Sequence, residues 1–393
     1  MSVLIDSNVQ PKKLRNRRSA ARDLIRTVTR DRPRLKRVLT TAQTRVGLLE
    51  HTIAAVIPGI IRPRPRNLTV AITAHCNLRC IGCRYGRDFM PGHQLPLEKI
   101  KELFDDAKAG GVERVRIYGG EPLLHPQLPD MIRYSLSLGL STHVNTNGIL
   151  LNQKIDQIYQ AGLRGMTIGF YGTAGVYDAY VQRSDRFARL ENGIATVRDR
   201  YGADMSMRLN FLLMRQSCNP ESLEAAWRFA EKYEMNFHVD LVHYSLPYFT
   251  EGPDRMLQFR DEDRPAIMEF VRDLARLKEA HPHRFEDSLP AIWSIPDWIL
   301  KGPAMKVPCD VYELLWVGAD GTVQLCYVTF RLGNIYETRL RDMLFTEEHR
   351  QAAVGAFSLN CPNCHCERDS RIQKHLPSFL KYRAEPHNGA RST

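Results

Sequence analysis

The chain has 393 residues, nine cysteines and a formal net charge of +11. An odd cysteine count and a first decapeptide, MSVLIDSNVQ, without an apolar signal core argue against a secreted disulfide framework and for reduced thiols in the cytoplasm. The basic charge is local: residues 1–66 hold 16 Lys or Arg against four Asp or Glu, a net of +12, and the remainder sums to −1, so the charge bears only on what the N-terminal segment touches.

With 43% apolar residues, one large core and a smaller module are expected. Residues 11–37 form a dispersed basic stretch. From Leu35 onward Val38, Leu39, Ala42, Val46, Leu49, Ile53 and Val56 recur at three- and four-residue steps until Pro58-Gly59, which predicts an amphipathic helix. It can pack on the main body with its basic tail solvated, or lie on an anionic surface such as the inner membrane face. Nucleic acid is a weaker partner, because the basic stretch has no aromatic residue to stack on bases. A transmembrane span is not expected, since the apolar run 46–61 is short and carries Glu50 and His51.

From residue 67 the rhythm changes. Strand-like segments at 67–75, 112–120, 140–148, 164–172, 203–214 and 235–244 alternate with helical patterns at 97–111, 127–139, 152–162, 186–202 and 221–234. Such alternation predicts an α/β fold of parallel strands with crossover helices. A doubly wound sheet would place a Gly-x-Gly-x-x-Gly turn after the first strand; three cysteines stand there instead. A partial (β/α)6 barrel over 67–245 puts that loop at the C-terminal end of strand one, the face where barrel enzymes carry their chemistry.

Cys76, Cys80 and Cys83 lie within the loop AHCNLRCIGCRYG. Their spacing suits an iron-sulfur cluster with one iron left open. Zinc is the alternative, but a closed zinc site needs a fourth ligand, for which His75 is the near candidate. Strand two ends in Gly119-Gly120-Glu121-Pro122, a common turn when alone. Beside an open cluster, two side-chain-free positions followed by a carboxylate form a candidate amino-acid site, with Glu121 taking up the ammonium.

This pair of motifs resembles the radical S-adenosylmethionine (radical SAM) superfamily. The resemblance implies a four-iron, four-sulfur cluster that binds S-adenosylmethionine through its amine and carboxylate, cleavage to a 5′-deoxyadenosyl radical, and an external one-electron donor such as flavodoxin or ferredoxin. By position, Thr146 and Asn147 at the end of strand three and Arg208 and Asn210 on strand five correspond to cofactor contacts. Many members carry an aromatic residue just before the third cysteine; here Gly82 stands there and Tyr85 follows.

Residues 246–305 carry one clear helical pattern (261–280) and a Trp-Pro segment (289–303), a connector to a second cysteine set at 306–375. There, LLWVGADGTVQLC reads as a hairpin turning at Ala319-Asp320-Gly321. The spacing of Cys309, Cys326 and Cys361-Pro-Asn-Cys364-His-Cys366 resembles the small α+β SPASM and twitch modules of the same superfamily. That resemblance implies one auxiliary four-iron cluster on Cys309, Cys326, Cys361 and Cys364, with Cys366 spare; a zinc knuckle on CPNCHC is the alternative. Cys218 reads as a buried structural thiol, and residues 376–393 as a polar tail. His143, Tyr171, Asp240, His243 and Tyr244 are candidate substrate-facing groups. The expected function is radical modification, with net two-electron oxidation foremost, of a small-molecule, lipid-linked or peptide substrate. A peptide maturase is the alternative, although residues 1–66 show no strand pattern for a leader-binding winged helix. A zinc-stabilised nucleic-acid-binding protein is the remote one.

Overall fold

The computed structural model describes residues 33–243, 257–326 and 329–385, residues 33–44 as backbone alone. Six strands follow the predicted order: β1 (Asn67–Thr73), β2 (Arg114–Gly119), β3 (Ser141–Thr146), β4 (Gly165–Phe170), β5 (Ser206–Leu213) and β6 (Asn236–Leu241). Each pairs in parallel with the next. Their side chains alternate. On β5, Met207, Leu209, Phe211 and Leu213 are buried with the helical layer, and Arg208 and Asn210 stand on the opposite, concave face. The helices between strands supply the matching apolar stripes, such as Ile100, Leu103, Phe104 and Ala107 on Leu97–Ala109.

The sheet continues past β1. The strand β7 (Leu314–Val317) runs parallel to β1 with Leu68 opposite Leu315 and Val70 opposite Val317. Then β8 (Thr322–Gln324) and β9 (Arg331–Asn334) add an antiparallel meander, so the order is β6-β5-β4-β3-β2-β1-β7-β8-β9. The sheet is open, with β6 and β9 at its edges. Barrel and C-terminal module, distinct in sequence pattern, thus share one backbone-paired sheet. The reason is in β1: every residue from Leu68 to Thr73 is buried, so an unpaired edge there would leave backbone donors and acceptors without partners or water. The turn after β7 closes at the predicted residues, with Gly321 at φ +84.

The connector helices Arg264–Ala280, Leu289–Trp293 and Ile295–Lys301 extend the helical layer: Phe270 stacks on Phe211 at 5.9 Å, and the Phe237 amide on β6 donates to Arg284 O at 2.7 Å. The expected polar tail begins instead with a helix, Leu376–Tyr382, whose Tyr382 is buried and donates its hydroxyl to Asp297.

The N-terminal helix spans Pro33–Val56. It docks on the C-terminal module through His51, whose Nε2 lies 3.0 Å from Tyr312 Oη, and carries buried Ala54; Glu50 pairs at 2.8 Å with Arg64 in the segment that leads to β1. The periodicity was legible, and of the two directions open to its apolar stripe the described part takes the outward one. Val46, Leu49, Ile53 and Val56 face outward, with Val56 81% exposed, and the docked face carries His51 and Ala54. No helix among the described residues is long and apolar enough to cross a membrane.

Candidate active site

The first cysteine loop leaves the end of β1 and is fastened on three sides. Arg79 N and Ile81 N donate to Val181 O and Tyr180 O at 3.2 and 2.9 Å, at the end of the helix Ala174–Val181, an element not expected from the sequence. Gly82, at φ +77, makes the sharp turn into Cys83. Arg87 donates to the carbonyl oxygens of Cys83 and, at 3.4 Å, of Cys80. Cys76 is the most accessible of the three thiols. Burial raises all three, Cys76 to about 12, and at Cys80 the charges of Cys83 and Cys76 add to the effect. Thiols that repel one another as thiolates fit a group whose metal ions supply the compensating positive charge.

The Gly119-Gly120 step meets this loop backbone to backbone. Gly120 N donates to Thr73 O at 2.7 Å and Glu121 N to His75 O at 2.8 Å. A Cβ on Gly119 would lie 2.3 Å from Thr73 O, and one on Gly120 2.2 Å from His75 O, so no larger residue fits either position without moving the loop. Glu121 differs from its expected use. Its side chain is fully buried; Oε1 accepts from Leu123 N at 2.9 Å and Thr146 Oγ1 at 2.7 Å, and Oε2 accepts from Asn147 N at 2.7 Å. Three donors occupy the carboxylate expected to take up an ammonium, and it braces the end of β3 against the loop. Burial pushes it up to about 7 despite those donors.

Thr146 is part of that brace. The side chain of Asn147 reaches the cysteine loop, donating to Asn77 Oδ1 at 2.8 Å and lying 3.8 Å from Cys76 Sγ. On the concave face, Arg208 donates to Thr167 Oγ1 at 2.8 Å and pairs with Glu286; His143 Nε2 meets the same hydroxyl at 2.7 Å, three residues short of the end of β3. Burial lowers His143 to about 3 and keeps it neutral. Asn210 lies 3.5 Å from Asp240 on β6. Tyr171 belongs to a tyrosine cluster with Tyr177 and Tyr180 at 5.7 and 4.4 Å, close enough to Cys80 to feel its charge. Tyr85 is not at the cofactor face: it is buried with Trp316 and Ala319, and its hydroxyl accepts from Ala319 N at 3.3 Å. Tyr244 lies outside the described residues.

The second cysteine set gathers around the module's core. Cys309 and Cys326 share one apolar cluster, and Cys364 perturbs the thiols of both Cys309 and Cys361. Cys366, read as spare, is not remote: a hydrogen bond with Cys364 raises it and holds Cys364 low, the charge of Cys326 reaches it, and its Sγ lies 3.9 Å from His243 Nε2. The loop is organised by Arg371, a fully buried guanidinium that sequence reading passed over. It donates to Cys364 O and Val307 O, both at 2.5 Å, and sits 4.6 Å over the Trp298 ring. Cys218 is buried away from both sets, which pushes its thiol up to about 12.

A family model described as the radical SAM superfamily matches residues 70–215, and one described as the SPASM iron-sulfur cluster-binding domain matches residues 309–367. The chain belongs to the radical SAM superfamily. A radical SAM domain implies a four-iron, four-sulfur cluster and S-adenosylmethionine, and a SPASM domain implies auxiliary iron-sulfur. It is 31% identical over 156 residues to GTP 3′,8-cyclase of Chlorobaculum tepidum, across 39% of this chain and 46% of the cyclase. It is 28% identical over 270 residues to the AdoMet-dependent heme synthase of Methanosarcina barkeri, across 67% and 74%. The chain thus matches under half the length of the first of these radical SAM relatives. Two solved structures share the fold: anSMEcpe with bound AdoMet (TM-score 0.58, 15% identity, 81% of this chain and 92% of that one) and Streptococcus suis SuiB bound to S-adenosylmethionine (TM-score 0.57, 16% identity, 87% and 79%).

Proposed function

We propose that this radical SAM enzyme oxidises, by two electrons, a polar substrate or the polar head of a lipid-linked one held on the concave face of the sheet. The carrying observation is the placement of the two cysteine sets. One follows β1; the other returns through Cys366 to the end of β6, where it meets His243, so both reach the C-terminal ends of the parallel strands. Cys76, Cys80 and Cys83 would hold the cofactor-binding cluster, Gly119 and Gly120 would let backbone approach, and Asn147 and Asn210 are the side chains best placed to orient S-adenosylmethionine. Glu121 and Thr146 are positioning residues in this reading. Arg208 could meet a carboxylate only by giving up Glu286. When bound, the cluster and S-adenosylmethionine supply a 5′-deoxyadenosyl radical that removes a substrate hydrogen atom, and an auxiliary centre on Cys309, Cys326, Cys361 and Cys364 supplies an acceptor for the second electron. The polar concave face, with His143, Arg208, Asn210 and Asp240, favours a hydrophilic group there.

The test is anaerobic reconstitution with dithionite and S-adenosylmethionine. A chain with Cys76→Ala, Cys80→Ala and Cys83→Ala should lose 5′-deoxyadenosine formation. One with Cys361→Ala and Cys364→Ala should keep it, carry about half the iron, and lose one cluster signal in electron paramagnetic resonance. Unchanged iron in the second variant would sink the oxidation reading.

SuiB has been solved bound to its precursor peptide SuiA, which keeps a peptide substrate in view. Against it, no strand precedes β1 among the described residues to form a leader-binding winged helix. A second reading concerns location: the outward stripe Val46, Leu49, Ile53, Val56, Ile57 and Ile60 beside a segment of net charge +12 supports docking on an anionic membrane surface.

A further inference from the structure

One group of ligating side chains has been assigned no metal above. Asp240, His243 and His365 place a carboxylate oxygen and two imidazole nitrogens all within 4.8 Å of one another. Among the described residues no other three His, Cys, Asp or Glu side chains gather so closely. The three come from separate parts of the chain. Asp240 stands on the concave face of β6, His243 follows two residues after that strand ends, and His365 lies between Cys364 and Cys366. The two imidazole rings have centroids 4.1 Å apart and are tilted by 35°. His243 and His365 also line a cavity of about 220 Å³ whose other walls include Val242, Phe259, Trp298 and Pro303.

We propose that Asp240, His243 and His365 form a mononuclear site for a divalent cation of the zinc or ferrous class, distinct from both iron-sulfur centres and open toward this cavity. Two imidazoles and one carboxylate are a borderline donor set that suits Zn²⁺ or Fe²⁺, and three protein ligands leave positions for water or a substrate oxygen. Metal-ligand bonds of about 2.1 Å at tetrahedral angles set donors ~3.4 Å apart, so the group must tighten on binding. His243, past the end of β6, is the ligand free of strand register to make that move. The charge balance allows it. Arg368, the cation whose field reaches Asp240, is itself paired with Asp287 at 3.1 Å. The competing donor is Cys366, 3.9 Å from His243 Nε2. The site would present a Lewis acid at the end of β6, between the concave face and the cavity.

The probe is zinc alone, added to the anaerobic, cluster-loaded full chain and followed by equilibrium dialysis. The expected result is about one zinc per chain with iron content unchanged. Asp240→Asn and His243→Ala should each weaken zinc binding at least ten-fold while iron per chain and cluster spectra stay at the parent's values. A parent chain that takes up no zinc, or variants that bind it as the parent does, would overturn the site. Zinc X-ray absorption on the parent does not depend on how the variants fold. Imidazole and oxygen scatterers with at most one sulfur support the assignment, and a shell with two or more sulfurs at about 2.3 Å refutes it.

Discussion

Glu121 is a buried carboxylate held by three donors and still raised to about 7, because its removal from water outweighs them. Between its ordinary value near 4.5 and about 7 the folded chain binds more protons than the unfolded one. Its contribution to stability is therefore complete at low pH and is lost as pH rises through 7. Glu121→Gln should remove that fall, seen as a parent-minus-variant difference in Tm that changes between pH 5 and pH 8. It should also cost roughly 1–2 kcal/mol, since an amide nitrogen placed against Asn147 N gives up one hydrogen bond. A difference flat with pH would mean that the carboxylate does not titrate in this window. The glycines before it act by absence. Gly120→Ala would drive a methyl toward His75 O, and the expected outcome is about half the iron with S-adenosylmethionine binding lost; Gly175→Ala, whose new methyl meets nothing within 4 Å, should change neither. Sequence reading placed these glycines at the end of β2 and took their purpose to be approach to a ligand; the structure adds a second purpose, that they let two backbones meet. A one-dimensional pattern shows that a side chain is missing, not what fills its space. Arg371 was invisible for a related reason: both arginines of ERDSRIQK are buried, and nothing in that stretch marks Arg371 as the one that donates to the Cys364 carbonyl.

At the scale of elements, the six strands and five of the helices from 67 to 243 were readable because each strand pairs with its sequence neighbour and each of those helices shows an apolar stripe; Ala174–Val181, which has no such stripe, was not. The β7–β1 pairing was not, because it joins residues some 250 apart and local periodicity carries no information on partners so distant. The same holds for the outward stripe of the N-terminal helix: a period of 3.6 residues says that one face is apolar, not that this face is the buried one. The shared sheet has a consequence for stability. Trp316 on β7 is fully buried against Ala71, Tyr85 and Met90, and its Nε1 donates to Tyr118 Oη on β2. Trp316→Ala should cost about 3–5 kcal/mol and lower the thermal transition of barrel and module together, as one step in calorimetry. Two separated transitions, with only the smaller one shifted, would show that the module unfolds independently of β1.

At the scale of the whole molecule, the charge asymmetry and the helix stripe act together, and the structure changes how they must be tested. Deleting residues 1–66 would also remove His51 and Ala54 from their seat on the C-terminal module, so lost vesicle binding could report a damaged module. Substituting only the outward residues avoids this. Val46, Leu49, Ile53 and Val56 are 65%, 60%, 44% and 81% exposed, so changing all four to Gln leaves the docked face intact. Full burial of such a side chain contributes about 1.5–3 kcal/mol, and even ~1 kcal/mol apiece at a lipid interface amounts to a loss of about a thousand-fold in partitioning. The parent should sediment with vesicles containing anionic lipid and the fourfold variant should stay in the supernatant with unchanged iron. Adding salt should release the parent, because screening shortens the reach of the basic segment from about 10 Å at 0.1 M to about 3 Å at 1 M. Neutral vesicles should hold the parent weakly at any salt concentration. If the variant sediments as the parent does, the apolar stripe contributes nothing to the membrane; if the parent binds neutral and anionic vesicles alike, the charge of residues 1–66 contributes nothing, and either result removes the reading that the two features serve one surface.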